Sequence, residues 1–227
     1  MKIIITTLIF ILINIFSFPQ TKSGLIAYYP FDGNTTDLSG NNNNGVVIGG
    51  VTWTTGVIGN AAHFNGTNAY IKVNNSTSLQ SPRNALSMSA WIYLENGHDI
   101  VSGIASKTET NNYGQYGFAI HHWSNNSLYV HLREGSGNGT PYNFQNNRWY
   151  FVAFTWDGNS IRLFVNGELI GRHQYSKPLI VDSNPLTIGL DGPGKYEYFK
   201  GRMDELRIYN RALSQSEVEQ LYSTVEN

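Results

Sequence analysis

The sequence contains no cysteine, and only 14% of its 227 residues are charged. The missing thiols exclude a disulfide-stapled scaffold, a thiolate zinc site and a lipid-anchored lipoprotein. The few charges nearly cancel, Lys+Arg 15 against Asp+Glu 16, so the chain lacks the basic field with which nucleic-acid binders neutralise phosphates. A typical soluble domain has about a quarter of its residues charged, so Asn, Ser, Thr and Gly must keep this surface polar. Helical periodicity is almost absent before the C-terminal end, and no linker-like stretch or long charge run divides the chain. What is abundant is apolar and aromatic, 41% hydrophobic and 13% aromatic, too much for a disordered chain. The chain is therefore read as one globular domain able to bury a proper core.

The N-terminal segment MKIIITTLIFILINIFSF puts a positive Lys2 before an apolar stretch at 3–16, broken only by Thr6, Thr7 and Asn14. That length falls short of the ~20 apolar residues of a membrane span, and it predicts a signal peptide over 1–20, removed between Ser17 and Ser23. An uncleaved anchor is the alternative. The expected mature protein is secreted or at the cell surface, with no membrane span.

From residue 24 onward, short runs of Tyr, Phe, Trp, Ile and Val alternate with clusters of Asn, Gly, Asp and Ser. The pattern predicts strands at 25–31, 45–48, 61–64, 69–73, 86–95, 100–107, 116–123, 129–134, 149–156, 161–165, 168–173, 186–188 and 201–209. So many antiparallel strands in a single domain over 24–222 imply a sandwich of two sheets or a closed barrel. One helix follows. Ser214-Gln215-Ser216-Glu217 has the spacing of a capping box, and Val218, Leu221 and Tyr222 share a face that must dock on the sheets.

Residue parity registers two hairpins. Pairing Trp156 with Ile161 across Asp157-Gly158-Asn159-Ser160 puts Phe154 opposite Leu163 and Val152 opposite Val165 on a core face, and Trp149 is read as structural packing with Trp156. In the second hairpin Phe118, Ile120, Val130 and Leu132 alternate inward, which sends His121, Trp123, Tyr129, His131 and Arg133 outward. A loop at 124–128 would set His121 opposite His131 and Trp123 opposite Tyr129. In 86–95 the same alternation turns Trp91 and Tyr93 outward. Aromatics on an outer face mark either a contact surface or a region shielded by a loop such as 135–147.

Five segments resemble the laminin-G-like jelly-roll domains of the concanavalin-A-like lectin/glucanase superfamily. They are GLIAYYPFDGNTTDLSGNNNNG at 24–45, AAHFNGTNAYIKV at 61–73, LSMSAWIYL at 86–94, RWYFVAFTWDGNSIRLFVNGELIG at 148–171 and FKGRMDELRIYNRALSQSEVEQLY at 199–222. The resemblance implies an all-β, antiparallel jelly-roll sandwich of two curved sheets. It says less about activity, because the fold hosts lectins, adhesion modules and polysaccharide-cleaving enzymes.

Related jelly rolls commonly hold a structural calcium between an early loop and an Asp on the last strand; the matching position here is Asp204. The early loop offers Asp32, Asn34 and Asp37 beside a glycine, the kind of oxygen set that a hard cation takes. By parity Asp204 shares a face with Leu206 and Ile208, where a lone carboxylate is costly. The alternative is that Asp32, Asn34 and Asp37 are turn residues binding their own backbone, and that main-chain amides hold Asp204. His121 and His131 are too few for a zinc site, and His121 and His122 point to opposite faces.

Catalysis is not expected. The glucanase Glu-x-Asp-x-x-Glu motif, a Gly-x-Ser-x-Gly elbow and a phosphate-binding glycine loop are all missing. An enzyme would have to assemble Glu95, Asp99, His121, His131 and Arg133 without spacing support. The expected function is binding of a glycan through Trp91, Tyr93, His121, Trp123, Tyr129, His131 and Arg133, rimmed by Tyr113, Tyr116 and Tyr142. The alternatives are a protein-adhesion or assembly module, recognisable by a flat apolar patch, and a glycoside-hydrolase-like enzyme without the usual motif.

Overall fold

The computed structural model describes residues 22–97, 100–108, 114–122, 126–132, 137–192 and 197–225. The expected signal peptide at 1–20 lies outside them. Sheet A runs in the order β13 (Glu168–Gln174), β12 (Ser160–Val165), β11 (Trp149–Trp156), β6 (Leu86–Leu94), β15 (Lys200–Tyr209), β4 (Asn60–Asn65) and β3 (Thr52–Thr55), and β1 (Leu25–Tyr29) also pairs with β15. Sheet B runs β10 (Gly137–Pro141), β9 (Ser127–Leu132), β8 (Gly114–His121), β7 (Val101–Thr108), β14 (Leu186–Ile188), β5 (Tyr70–Val73) and β2 (Gly45–Ile48). The pairings are antiparallel, so the fold is the expected all-β sandwich.

The core lies where the inner faces meet. Met88, Ala90 and Ile92 of β6 and Val152 and Phe154 of β11 pack with Phe118 and Ile120 of β8 and Val130 and Leu132 of β9. Phe118 and Phe154 touch edge to face across the two sheets with centroids 5.1 Å apart. The β11–β12 register is the expected one, Trp156 opposite Ile161 and Val152 opposite Val165. Buried Trp156 donates its indole N–H to the Tyr175 carbonyl at 2.8 Å.

The β8–β9 hairpin differs from expectation. β9 begins at Ser127, so His121 lies opposite Ser127, Tyr129 opposite Ala119 and His131 opposite Gly117. The slip spans an even number of residues, which leaves every side chain on its expected face. Two strands escaped the sequence reading, β3 and β10. The latter, Gly-Asn-Gly-Thr-Pro, sits at a sheet edge where pairing with β9 rather than propensity makes it a strand.

β15 carries the main surprise. Its register against β6 shifts between Asp204 and Arg207, and Glu205 takes φ 55°, the left-handed region. The extra residue reverses the phase of the strand. Leu206 and Ile208 enter the core, while Asp204 turns to the outer face opposite Trp91, so they do not share the face that simple parity assigns. The bulge sits where β15 changes partner: its residues 200–203 pair with β4 and 206–209 with β1.

The helix α1 (Gln215–Ser223) has the predicted capping box. Arg211 donates to both Glu217 carboxylate oxygens at 2.6 and 2.9 Å, and this charge-assisted pair holds the Glu217 carboxyl down at about 2. Val218 and Leu221 are buried against the outer face of sheet A. Among the described residues no helix is long and apolar enough to cross a membrane.

Candidate ligand-binding faces

The expected binding set divides between the two outer faces, which look away from each other. Trp91 and Tyr93 stand on sheet A; His121, Tyr129 and His131 stand on sheet B. Trp123 and Arg133 lie outside the described residues, as do Asp99 and Tyr113. The expectation of one continuous surface is therefore corrected: the strand carrying Trp91 belongs to the opposite sheet. Trp91 is also covered, its ring stacked on Tyr222 of α1 at 5.6 Å and edge-on to Phe151 at 5.6 Å. Tyr116, expected as a rim residue, is fully buried in the core and donates its hydroxyl to the Leu79 carbonyl at 3.1 Å.

On sheet B three of the expected residues do come together. His121 and Tyr129 stack with centroids 3.6 Å apart, and His131 meets Tyr129 edge-on at 6.4 Å. The rings lie flat because their neighbours are small. His131 stands between Gly117 and Gly137, and a Cβ on Gly117 would overlap its imidazole. Asp191 closes the group, its Oδ1 3.6 Å from His131 Nε2, too long for a hydrogen bond. Burial pushes His121 down to about 4, Asp191 opposes this, and the neighbouring His131 and His122 add to it. His121, His131 and Asp191 are each less than 8% exposed, while Tyr129 is half-buried. At the end of sheet B, where β8 turns into β9, an open cleft of about 450 Å³ is lined by Asn126, Pro141, Tyr142 and Asn143. The Tyr142 ring is held there by Phe144 at 4.8 Å and Tyr150 at 6.0 Å.

One end of the outer face of sheet A is covered by α1, with Val57 packed beside it. Beyond Trp91, four cross-strand partners stand in line on β11, β6, β15 and β4: Trp149, Tyr93, Arg202 and His63. Each is half-buried. Trp149 is outside the main core but packs against the second buried cluster, that of Trp91, Phe151 and Phe164, so its expected packing role holds on the face that its parity relative to Trp156 assigns. The row itself joins residues far apart in sequence, so no local motif announces it.

The proposed calcium ligands fit one ion only in part. Asp37 is buried with both oxygens engaged: Oδ1 accepts from the Tyr28 and Ser39 amides at 2.9 and 2.8 Å, and Oδ2 from the Asn43 amide and Ser39 hydroxyl at 2.9 Å each. Asn34 Oδ1 takes the Thr36 amide at 2.9 Å, a turn of its own. Asp32 and Asp204 instead flank one loop at 56–60. Asp32 Oδ1 accepts from the Asn60 amide at 2.8 Å, and Asp204 Oδ2 from the Val57 and Ile58 amides at 2.8 and 3.1 Å. Asp204 Oδ1 is buried without a hydrogen-bond partner, and burial pushes this carboxyl up to about 7 against the pull of the amides. Among the described residues no three His, Cys, Asp or Glu side chains converge as a metal site.

Nor does the alternative catalytic set assemble. Glu95 lies with His63 on the sheet A side, away from His121 and His131. Glu205, next to Asp204, is bound by Arg207 at 2.5 Å and by the Tyr28 hydroxyl at 3.0 Å, and the Arg207 guanidinium lies 4.1 Å over the Tyr28 ring.

Comparison with known proteins bears on the fold and the family. No curated protein matches the chain. Domain 4 of AbnA, an extracellular arabinanase of Geobacillus stearothermophilus solved with arabinotriose, superposes with a TM-score of 0.73 at 22% identity, covering 88% of this chain and 98% of that one. The binding domain of Paraclostridial Mosquitocidal Protein 1 gives 0.73 at 21%, covering 91% and 53%. The binding domain of botulinum neurotoxin DC, solved with SialylT, gives 0.69 at 17%, covering 90% and 52%. The chain thus spans about half the length of the two toxin binding domains, and at these identities the likeness is one of fold. A family model of the concanavalin A-like lectin/glucanases superfamily, of the laminin-G type, matches residues 65–219, more than half of the chain. The chain therefore belongs to the laminin-G-like branch of the concanavalin A-like lectin/glucanase superfamily.

Proposed function

We propose that this domain is an exported, non-catalytic module that binds a carbohydrate at the β8–β9 end of sheet B. The observation that carries the reading is the cleft of about 450 Å³ in which the Tyr142 ring stands beside the amides of Asn126 and Asn143. A sugar offers an apolar ring face and hydroxyls that donate and accept, and a pocket of that size with an aromatic wall and a few convergent polar groups suits it. The His121–Tyr129 stack adjoins the cleft through the Ser127–Pro141 pair. The arabinanase domain solved with arabinotriose and the toxin domain solved with SialylT support a carbohydrate over other ligands for this fold.

Retention of the secreted chain on a glycan array tests the reading. Wild type is expected to hold at least one oligosaccharide that Tyr142→Ala and Trp123→Ala release while both variants stay folded by circular dichroism; retention unchanged in both variants would refute the site. Export is tested by N-terminal sequencing of the mature protein, expected to begin between residues 18 and 23. For the calcium, Asp204 through its unpartnered oxygen and Asp32 are the residues that would hold the ion, which would offset the cost of a buried carboxylate.

A second reading, assembly through protein contact, draws on β2. This edge strand exposes Val46, Val47 and Ile48 at 59%, 40% and 36%. An apolar edge without charge or proline is a template for strand addition. Val46→Lys is then expected to abolish any self-association seen by sedimentation; a wild type that sediments as a monomer at all concentrations removes that reading.

A further inference from the structure

We propose a second carbohydrate subsite on the opposite face of the sandwich, built on the row Trp149, Tyr93, Arg202 and His63 with Glu95 at its side. The row is contiguous: Trp149 pairs with Tyr93, Tyr93 with Arg202, and Arg202 with His63 across four strands. The two aromatic rings lean on each other with centroids 5.5 Å apart, and the Arg202 guanidinium lies 4.7 Å over the Tyr93 ring. That stacking fixes the plane of the guanidinium without using its N–H groups.

Two polar groups there keep free hydrogen-bonding capacity, the Arg202 guanidinium and Glu95 Oε1, while His63 is engaged by Glu95 Oε2 and Thr52. Among the described residues the Arg202 side chain makes no hydrogen bond; its Nε is buried, and its approach to Glu95 Oε1 is 3.9 Å. Glu95 uses Oε2 on His63 Nε2 at 3.2 Å and leaves Oε1 without a hydrogen bond. A fixed donor fork therefore stands next to an open acceptor, beside a half-buried indole. Two adjacent hydroxyls of a sugar match this set: one donates to Glu95 Oε1, the other accepts from the terminal N–H groups of Arg202, and the ring lies along Trp149. An anion would be repelled by Glu95, and an apolar partner would strand both polar groups without water. The ligand class is a neutral sugar ring, and with the cleft at Tyr142 on the other face the module is bivalent.

This face shares no residue with the sheet B cleft, so one titration distinguishes the two. Arabino-, xylo-, cello- and manno-oligosaccharides are titrated into the 15N-labelled mature protein, with Trp149 indole N–H and Tyr142 amide signals as reporters. For at least one of them the Trp149 signal is expected to shift, and Glu95→Gln and Arg202→Met are each expected to raise the Kd at this face about tenfold or more. Tyr142→Ala should leave that Kd alone. The melting temperature of Glu95→Gln, whose side chain is partly exposed, is expected to match wild type, so a loss of binding there is not a loss of fold. Shifts confined to the Tyr142 region, or affinities at Trp149 that neither variant changes, overturn the second subsite and leave the cleft standing. Shifts confined to Trp149 overturn the cleft instead, and no shift with any sugar overturns both.

Discussion

Acid should loosen this domain through one histidine. His121 has its folded-state pKa pushed down to about 4, chiefly by burial, against about 6.5 in an unfolded chain. Between those values the unfolded chain binds a proton that the folded one refuses. Stability conferred by the neutral imidazole is thus complete above about pH 6.5 and is lost as the pH falls toward 4. At 1.36 kcal/mol per pH unit the loss reaches about 3 kcal/mol, a large part of the stability of an ordinary domain. His121→Phe keeps an aromatic ring against Tyr129 and cannot titrate. Urea unfolding followed by tryptophan fluorescence, repeated from pH 7.5 to 4, should show wild type losing about 3 kcal/mol more than the variant across that window. Carboxylates remote from this site titrate alike in both proteins and cancel in the difference; Asp191, His131 and His122, which couple to His121, are present in both. Parallel pH profiles for the two proteins would show that the stacked imidazole carries no such penalty, and the reasoning would fail.

Other perturbations bear on separate parts of the fold. Trp91→Ala removes the ring on which Tyr222 stacks and is expected to cost about 3–5 kcal/mol in urea unfolding, with sugar retention at the Tyr142 cleft unchanged below the melting temperature. Gly117→Ala drives a methyl group into the His131 imidazole and should cost about 1–3 kcal/mol, with the largest amide shifts in β8 and β9. Calcium is expected to raise the melting temperature of wild type over that in chelator, and Asp204→Asn to erase the difference; identical wild-type curves would remove the ion.

The sandwich was legible because its evidence is local and redundant. Alternation in 86–94 and 149–156, and in the pair 118–132, assigns each side chain to a face regardless of register, so the misplaced turn after His121 left the core assignment intact. The faces were less legible where one residue changes the count. Glu205 adds a residue that no propensity announces, and parity carried from Leu206 to Asp204 crosses it and comes out inverted. The candidate set failed as a unit for a different reason: outward is a property of one sheet, and Trp91 and His121 point outward from different sheets. Neither can one read from Trp91 itself that a helix more than a hundred residues later will cover it. The Asx turns of Asn34 and Asp37 were an open alternative in the sequence, and the structure shows those hydrogen bonds.

The bulge after Asp204 also gives the domain a mechanical character. Leu25 pairs with Tyr209, so the ends of β1 and β15 lie side by side, and tension applied between residues 24 and 210 pulls that ladder open one rung at a time. Unzipping reaches Tyr29 opposite Leu206 and there meets the bulge, beyond which β15 is held by β4 on one side and β6 on the other. The buried Tyr28–Glu205–Arg207 cluster is the last clasp on the part that peels. Peeling the first strand would also draw Ile26, Ala27 and Tyr29 out of the core, so a load applied there is resisted by the packing of the whole sandwich as well as by the ladder.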